Sequence, residues 1–140
     1  MQRSVRAAIG GVPSARAPTV LLVEDEVLVR AATARFLREC GFTVLEAVQA
    51  DDAIQMLAAA PRIEAVFADV KLPGPRNGVD LAHLVRREYP NIKILLTSGV
   101  APFPEVEGVT LLRKPYFLFD VEQRLKVLLG LLPARERRLD

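Results

Sequence analysis

The chain is poor in the residues that staples and most metal centres need. Its 140 residues include one cysteine, Cys40, and one histidine, His83. An internal disulfide framework is excluded, and so is a Cys/His zinc site. Nothing in the cysteine usage demands an oxidising compartment. Tryptophan is absent, and no basic stripe with interleaved aromatics appears, so nucleic acid is not an expected partner. No apolar run approaches the roughly 18 residues of a membrane span. The first 18 residues lack an apolar stretch of signal-peptide length. They are rich in arginine and alanine and carry no acid, a loose likeness to a transit peptide. Gly10, Gly11, Pro13 and Pro18 favour a disordered extension instead.

Apolar residues make up 51% and charged residues 26%, the balance of one soluble globular domain. The formal net charge of +2 is unevenly spread. Residues 1–18 carry Arg3, Arg6 and Arg16 without an acid, and 133–140 form a short basic tail. Residues 19–132 hold 13 bases and 15 acids. A mildly acidic domain over 19–132 thus wears basic ends, which read as solvated.

Within that domain, short apolar runs alternate with helical periods. TVLLVE (19–24) has the continuous apolar character of a strand buried on both faces. Residues 27–39 have helical period, with Val27, Ala31, Ala34 and Leu37 on one stripe, and Gly41 in the position that ends a helix. Strands follow at 42–47, 64–70, 91–99 and 109–115, and helices at 50–60, 79–89 and 119–130. Pro61 and Pro90 act as stops. The alternation predicts an α/β fold, a doubly wound parallel sheet with helices on both faces. Ligands in such folds bind beyond the carboxyl ends of the strands.

Those ends are polar. The first strand delivers Glu24 and Asp25, the third Asp69, the fourth Thr97 with Ser98 beside it, and the fifth Lys114. Carboxylates gathered at about 4 Å repel by about 4 kcal/mol per pair at an effective dielectric of 20. Lys114 offsets one charge and a divalent cation would offset two more. All-oxygen ligands with water suit Mg²⁺ or Mn²⁺. A hard ion beside a carboxylate favours a phosphoryl group, and Lys114 and the Thr97 hydroxyl would meet its remaining oxygens. Asp69 is then a candidate nucleophile towards phosphorus.

These residues resemble the receiver domain of two-component response regulators. The likeness covers about 19–130 through VLLVEDE (20–26), FADVKLPG (67–74), ILLTSG (94–99) and LLRKPY (111–116). Asp25 precedes Asp69 by 44 residues, Asp69 precedes Thr97 by 28, and Thr97 precedes Lys114 by 17. The resemblance implies a flavodoxin-like, five-stranded sheet of order 2-1-3-4-5. It implies Asp69 as phosphoacceptor, with Thr97 and Lys114 completing the reactive set. Glu24, Asp25, Asp69 and the backbone carbonyl of Lys71 would bind the ion, Mg²⁺ or Mn²⁺. Lys114-Pro115 would be a cis peptide.

Three departures accompany the likeness. The loop after Asp69 carries Pro75, Arg76 and Asn77 before Gly78, one residue more than expected. The 17 residues between Thr97 and Lys114 include Pro102, Pro104 and Gly108, so the family's fourth helix is expected to be absent or cut to about one turn. Leu111 stands where such domains often carry an aromatic switch residue. The expected function is a stand-alone cytoplasmic phosphorylation switch, not an enzyme acting on other molecules. Its partners would be a sensor histidine kinase or phosphotransfer protein and a downstream protein, with homodimerisation compatible with the sequence. The alternatives are a degenerate receiver used as a docking module and a Mg²⁺ phosphohydrolase. The latter would ordinarily need a second acid where Lys71 stands.

Overall fold

The computed structural model describes residues 17–59 and 62–134. Most of the basic N-terminal extension, the stop assigned to Pro61 and the tail beyond Ala134 lie outside the described residues. The elements run β1 (Thr19–Val23), α1 (Val27–Glu39), β2 (Thr43–Ala47), α2 (Ala50–Ala59), β3 (Ile63–Asp69), α3 (Gly78–Glu88), β4 (Lys93–Ser98), β5 (Thr110–Arg113) and α4 (Leu118–Leu128). The five strands form one parallel sheet in the order β2-β1-β3-β4-β5. Pro18 already belongs to its edge, since its carbonyl accepts from Thr43 N at 2.9 Å.

Alternation along the buried strands builds a core on each face. Leu21, Val23, Val66, Ile94 and Leu96 pack with Leu57, Leu81 and Val85 under α2 and α3. Val20, Leu22, Phe67 and Leu95 pack with Leu37, Val121 and Leu125 under α1 and α4. Each large side chain so enclosed contributes about 1.5–3 kcal/mol through removal from water.

One local reading changes. In α1 the buried residues are Thr33, Ala34 and Leu37, while Val27 and Ala31 are exposed. The first turn stands at the rim of the cleft beyond β1, where Val29 lines the opening, so only the later turns cover the sheet. Cys40 is half-buried against the α1/α4 core. Gly41 has the positive φ, +100°, expected of a helix-ending glycine.

No helix lies between β4 and β5 among the described residues. The prolines remove amide donors that a helix there would need. Residues 99–109 run irregularly, with a cis peptide at Ala101-Pro102 that the sequence did not announce. Two cations hold this linker. Arg113 lies 4.3 Å from the centre of the Phe103 ring, and the Arg86 guanidinium of α3 occupies the space a side chain at Gly108 would need.

Candidate functional site

The register brings the polar strand ends together. Asp69 is paired with Thr97 across β3 and β4, and Val23 with Ala68, so Glu24 emerges beside Asp69. Lys114 N donates to Ser98 O at 2.9 Å, which carries β5 past its last residue to the same edge. A cleft of about 960 Å³ opens there. Glu24, Asp25, Asp69, Lys71 and Lys114 line it, as do Glu26 and Ser98. Thr97 lies behind its wall, 2% exposed.

Asp69 is 7% exposed and has both carboxylate oxygens engaged. Oδ2 accepts from Lys114 Nζ at 2.7 Å and Oδ1 from Lys71 N at 3.1 Å. Glu24 is buried to the same degree, and its Oε2 accepts from Glu26 N at 3.0 Å. Arg30 fixes that bend by donating to Glu24 O at 2.9 Å. The Thr97 hydroxyl has no hydrogen-bond partner among the described residues. A buried hydroxyl without a partner costs about 1–3 kcal/mol, so the site carries an unfilled acceptor or donor position beside Asp69.

Two glycines shape the walls. Gly78 opens α3 directly against the backbone of Asp69, where an added Cβ would come within 2.3 Å of Asp69 O. Gly99 leaves space for the aliphatic stem of Lys114, 3.4 Å from where a Cβ would stand. The Lys71–Asn77 loop is tied down by an Arg76–Asp51 ion pair. Asn77 and Asp80 cap α3 reciprocally. That box and the ion pair escaped the sequence reading, although the Asn-x-x-Asp spacing announces the first. Glu26 caps α1 without a side-chain hydrogen bond and lines the cleft. His83 is exposed on α3, away from the cleft.

The charges explain the titration behaviour. Burial raises the pKa of Glu24, the Glu26 amide opposes this, and the Asp69 carboxylate adds to it. Burial pulls the Lys114 ammonium down, but the hydrogen bond and charge of Asp69 outweigh that and raise it. Four carboxylates face two lysines across the cleft, an excess of negative charge that a divalent cation would relieve. Among the described residues no three acids form a finished cage. This donor set fits an ion that keeps several waters, as Mg²⁺ does, better than one that needs a full protein shell.

The sequence profile of the response regulator receiver domain matches residues 20–114. The sensor kinase CckA of Brucella abortus is 32% identical over 118 residues, which cover 79% of this chain and 12% of that protein. The probable transcriptional regulatory protein TcrX of Mycobacterium tuberculosis is 32% identical over 117 residues, 79% of this chain and 49% of that one. The chain thus spans less than half the length of these curated relatives. The crystal structure of a response regulator receiver protein from Sinorhizobium medicae superposes with a TM-score of 0.76 at 28% identity, covering 81% of this chain and 95% of that one. The receiver domain of the hybrid histidine kinase CckA superposes with a TM-score of 0.68 at 34% identity, covering 79% and 98%. The chain belongs to the response regulator receiver family of two-component signalling.

Proposed function

We propose that this receiver domain is a phosphorylation switch and that Asp69 is its phosphoacceptor. The observation that carries the reading is a buried Asp69 held by Lys114 at 2.7 Å beside the unpartnered Thr97 hydroxyl. A carboxylate oxygen of Asp69 attacks the phosphorus of a phosphohistidine on a histidine kinase or phosphotransfer protein. The P–N bond breaks, its electron pair stays on the imidazole nitrogen, and that nitrogen takes a proton. The product is an acyl phosphate on Asp69.

Glu24, Asp25 and Asp69, with the Lys71 carbonyl, would hold Mg²⁺ or Mn²⁺. When bound, the ion neutralises charge on the transferring phosphoryl oxygens. Lys114 moves from the Asp69 carboxylate, which it holds at 2.7 Å, to a second phosphoryl oxygen that it meets as a point charge. Thr97 supplies a hydroxyl that satisfies itself by donating to a third. The modified side chain carries about two negative charges and three strong acceptors. Drawing Thr97 and Lys114 inward pulls on both ends of the 99–109 linker, and output passes by contact with a downstream protein. No helix among the described residues is long and apolar enough to cross a membrane.

Incubation with acetyl phosphate and Mg²⁺, followed by intact mass, tests the reading. A gain of about 80 Da, one phosphoryl group, that disappears in Asp69→Asn is expected. No gain in the wild-type protein would overturn it in favour of a docking module.

A further inference from the structure

Leu111 cannot report on Thr97 from its position: it packs into the α2/α3 core, and the β5 residue registered with Thr97 is Leu112. An aromatic residue does reach Thr97 from elsewhere. Phe67 precedes Asp69 by two on β3, and Leu95 precedes Thr97 by two on β4. All four therefore leave the sheet on the α1/α4 face, in registered pairs Phe67–Leu95 and Asp69–Thr97. Tyr116 packs on that face. Its ring meets Phe67 edge-on, centroids 6.3 Å apart at 66°. Its ring is thus anchored one side-chain step beneath the Asp69–Thr97 pair.

The surroundings of the phenol agree. Burial raises its pKa most, Lys114 lowers it, Glu24 and Asp69 raise it, and the nearby Thr97 hydroxyl lowers it. The two hydroxyls are neighbours without a formed hydrogen bond, because Thr97 Oγ1 remains unpartnered. Tyr116 is followed by Phe117, the residue that caps α4, whose amide donates to Asp120 at 2.9 Å. Phe117 and Phe119 are exposed large apolar side chains.

We infer that Tyr116 is the residue that reads the state of Thr97, in place of the aromatic missing at Leu111, and passes it to the start of α4. The inference rests on Asp69 being the phosphoacceptor. When the Thr97 hydroxyl turns to the phosphoryl oxygens, the phenol of Tyr116 loses its neighbour and settles anew against Phe67. Phe117 and the first turn of α4 follow, because the chain between them has no slack. Tyr116 touches neither the phosphoryl group nor the ion and acts only through Thr97.

The chain has two tyrosines, Tyr89 and Tyr116, so protein labelled with 3-fluorotyrosine gives two fluorine lines, assigned by Tyr89→Phe. Mg²⁺ and beryllofluoride are added to saturation, and the signal of bound beryllofluoride is read in the same fluorine spectrum. The expected result is a bound signal, a shift of the Tyr116 line and shifts of the Phe117–Asp120 amides. In Tyr116→Phe, which keeps the ring on Phe67, the bound signal persists and the amide shifts are lost. A bound signal with an unmoved Tyr116 line in otherwise wild-type protein overturns the relay and leaves the phosphoacceptor intact. Amide shifts in Tyr116→Phe equal to those of the wild type do the same. No bound signal in the wild type overturns the phosphoacceptor and the relay together.

Discussion

The tightest steric constraint on the site is a missing side chain. Gly78 begins α3 where its backbone touches the end of β3, and Gly78 N donates to Val70 O at 2.8 Å. A Cβ at position 78 would lie 2.3 Å from Asp69 O, 2.8 Å from Val70 Cα and 2.9 Å from Asp69 C. Carbon–oxygen contacts ordinarily begin near about 3.3 Å, so Gly78→Ala must part helix and strand by about 1 Å. Every clashing atom is backbone, and none can rotate away. Overpacking of this kind costs about 1–3 kcal/mol; the entropy that alanine saves in a helix returns at most about 1 kcal/mol. The expected net loss is about 1–2 kcal/mol, read by urea unfolding, or a fall in Tm of about 4 °C per kcal/mol. The same displacement moves the backbone that carries Asp69. Misplacement of about 1 Å can cost a hundredfold in rate, and labelling by acetyl phosphate should slow at least about tenfold. Gly41→Ala is the control. Nothing lies within 4 Å of its added Cβ, but its φ of +100° strains any L side chain, so it should lose about 1–3 kcal/mol and label at the wild-type rate. Gly78→Ala matching the wild type in both stability and labelling would refute the reasoning, as would equal slowing in Gly41→Ala.

Two further outcomes follow from burial. Because burial raises the pKa of Glu24, a proton competes for this carboxylate at higher pH than for an ordinary glutamate; Mg²⁺ affinity measured by calorimetry should therefore begin to fall, on acidification, above the ordinary glutamate range, and more gently in Glu24→Gln. For the ion-free fold the sign is set by the native state taking up that proton first: the contribution of Glu24 is fully present below its unfolded value and is lost as pH rises through its raised folded pKa. Leu95 is 0% exposed in the centre of β4, and Leu95→Ala should cost about 2–5 kcal/mol in urea unfolding; a loss below about 1 kcal/mol would mean that the α1/α4 face is not packed as described.

What could be read from the residues divides by the range of the interaction. The strands were legible because β1 and β3 are apolar on both faces, and the polar residues that close them mark their ends without reference to anything distant. The absent helix between β4 and β5 was legible because Pro102 and Pro104 oppose a helix wherever they stand. The stripe on α1 was misplaced by part of a turn. Val27 and Ala31 have the right period, but only the tertiary position of β1 decides that the first turn overhangs the cleft. Tyr116 was passed over for the same reason: its contact with Phe67 joins residues 49 apart, and no local pattern encodes which face of a sheet a loop residue will choose. Register is equally non-local, so the adjacency of Asp69 and Thr97 became visible only with the fold.

The irregular linker gains meaning from its ends. On the proposed reading, Thr97 and Lys114 are the two groups drawn to a phosphoryl group, and the segment between them holds no helix that must move as a rigid body. Apart from the turn bonds Val109 N to Val106 O and Val100 N to Ser98 Oγ, its restraints are side-chain contacts: Arg113 on Phe103, and Arg86 at Gly108. A cation over a half-buried ring such as Phe103 is worth about 0.5–2 kcal/mol. A helix in that place would need several backbone hydrogen bonds and a buried face displaced together. A new charge-assisted hydrogen bond contributes about 1.5–3 kcal/mol, enough to match or exceed the Arg113–Phe103 contact. The departures from the family pattern therefore agree with one another. A linker this lightly held needs no large aromatic at Leu111 to lever it, and a reporter on the α1/α4 face, where Tyr116 stands, lies on the side of the sheet that Thr97 itself faces.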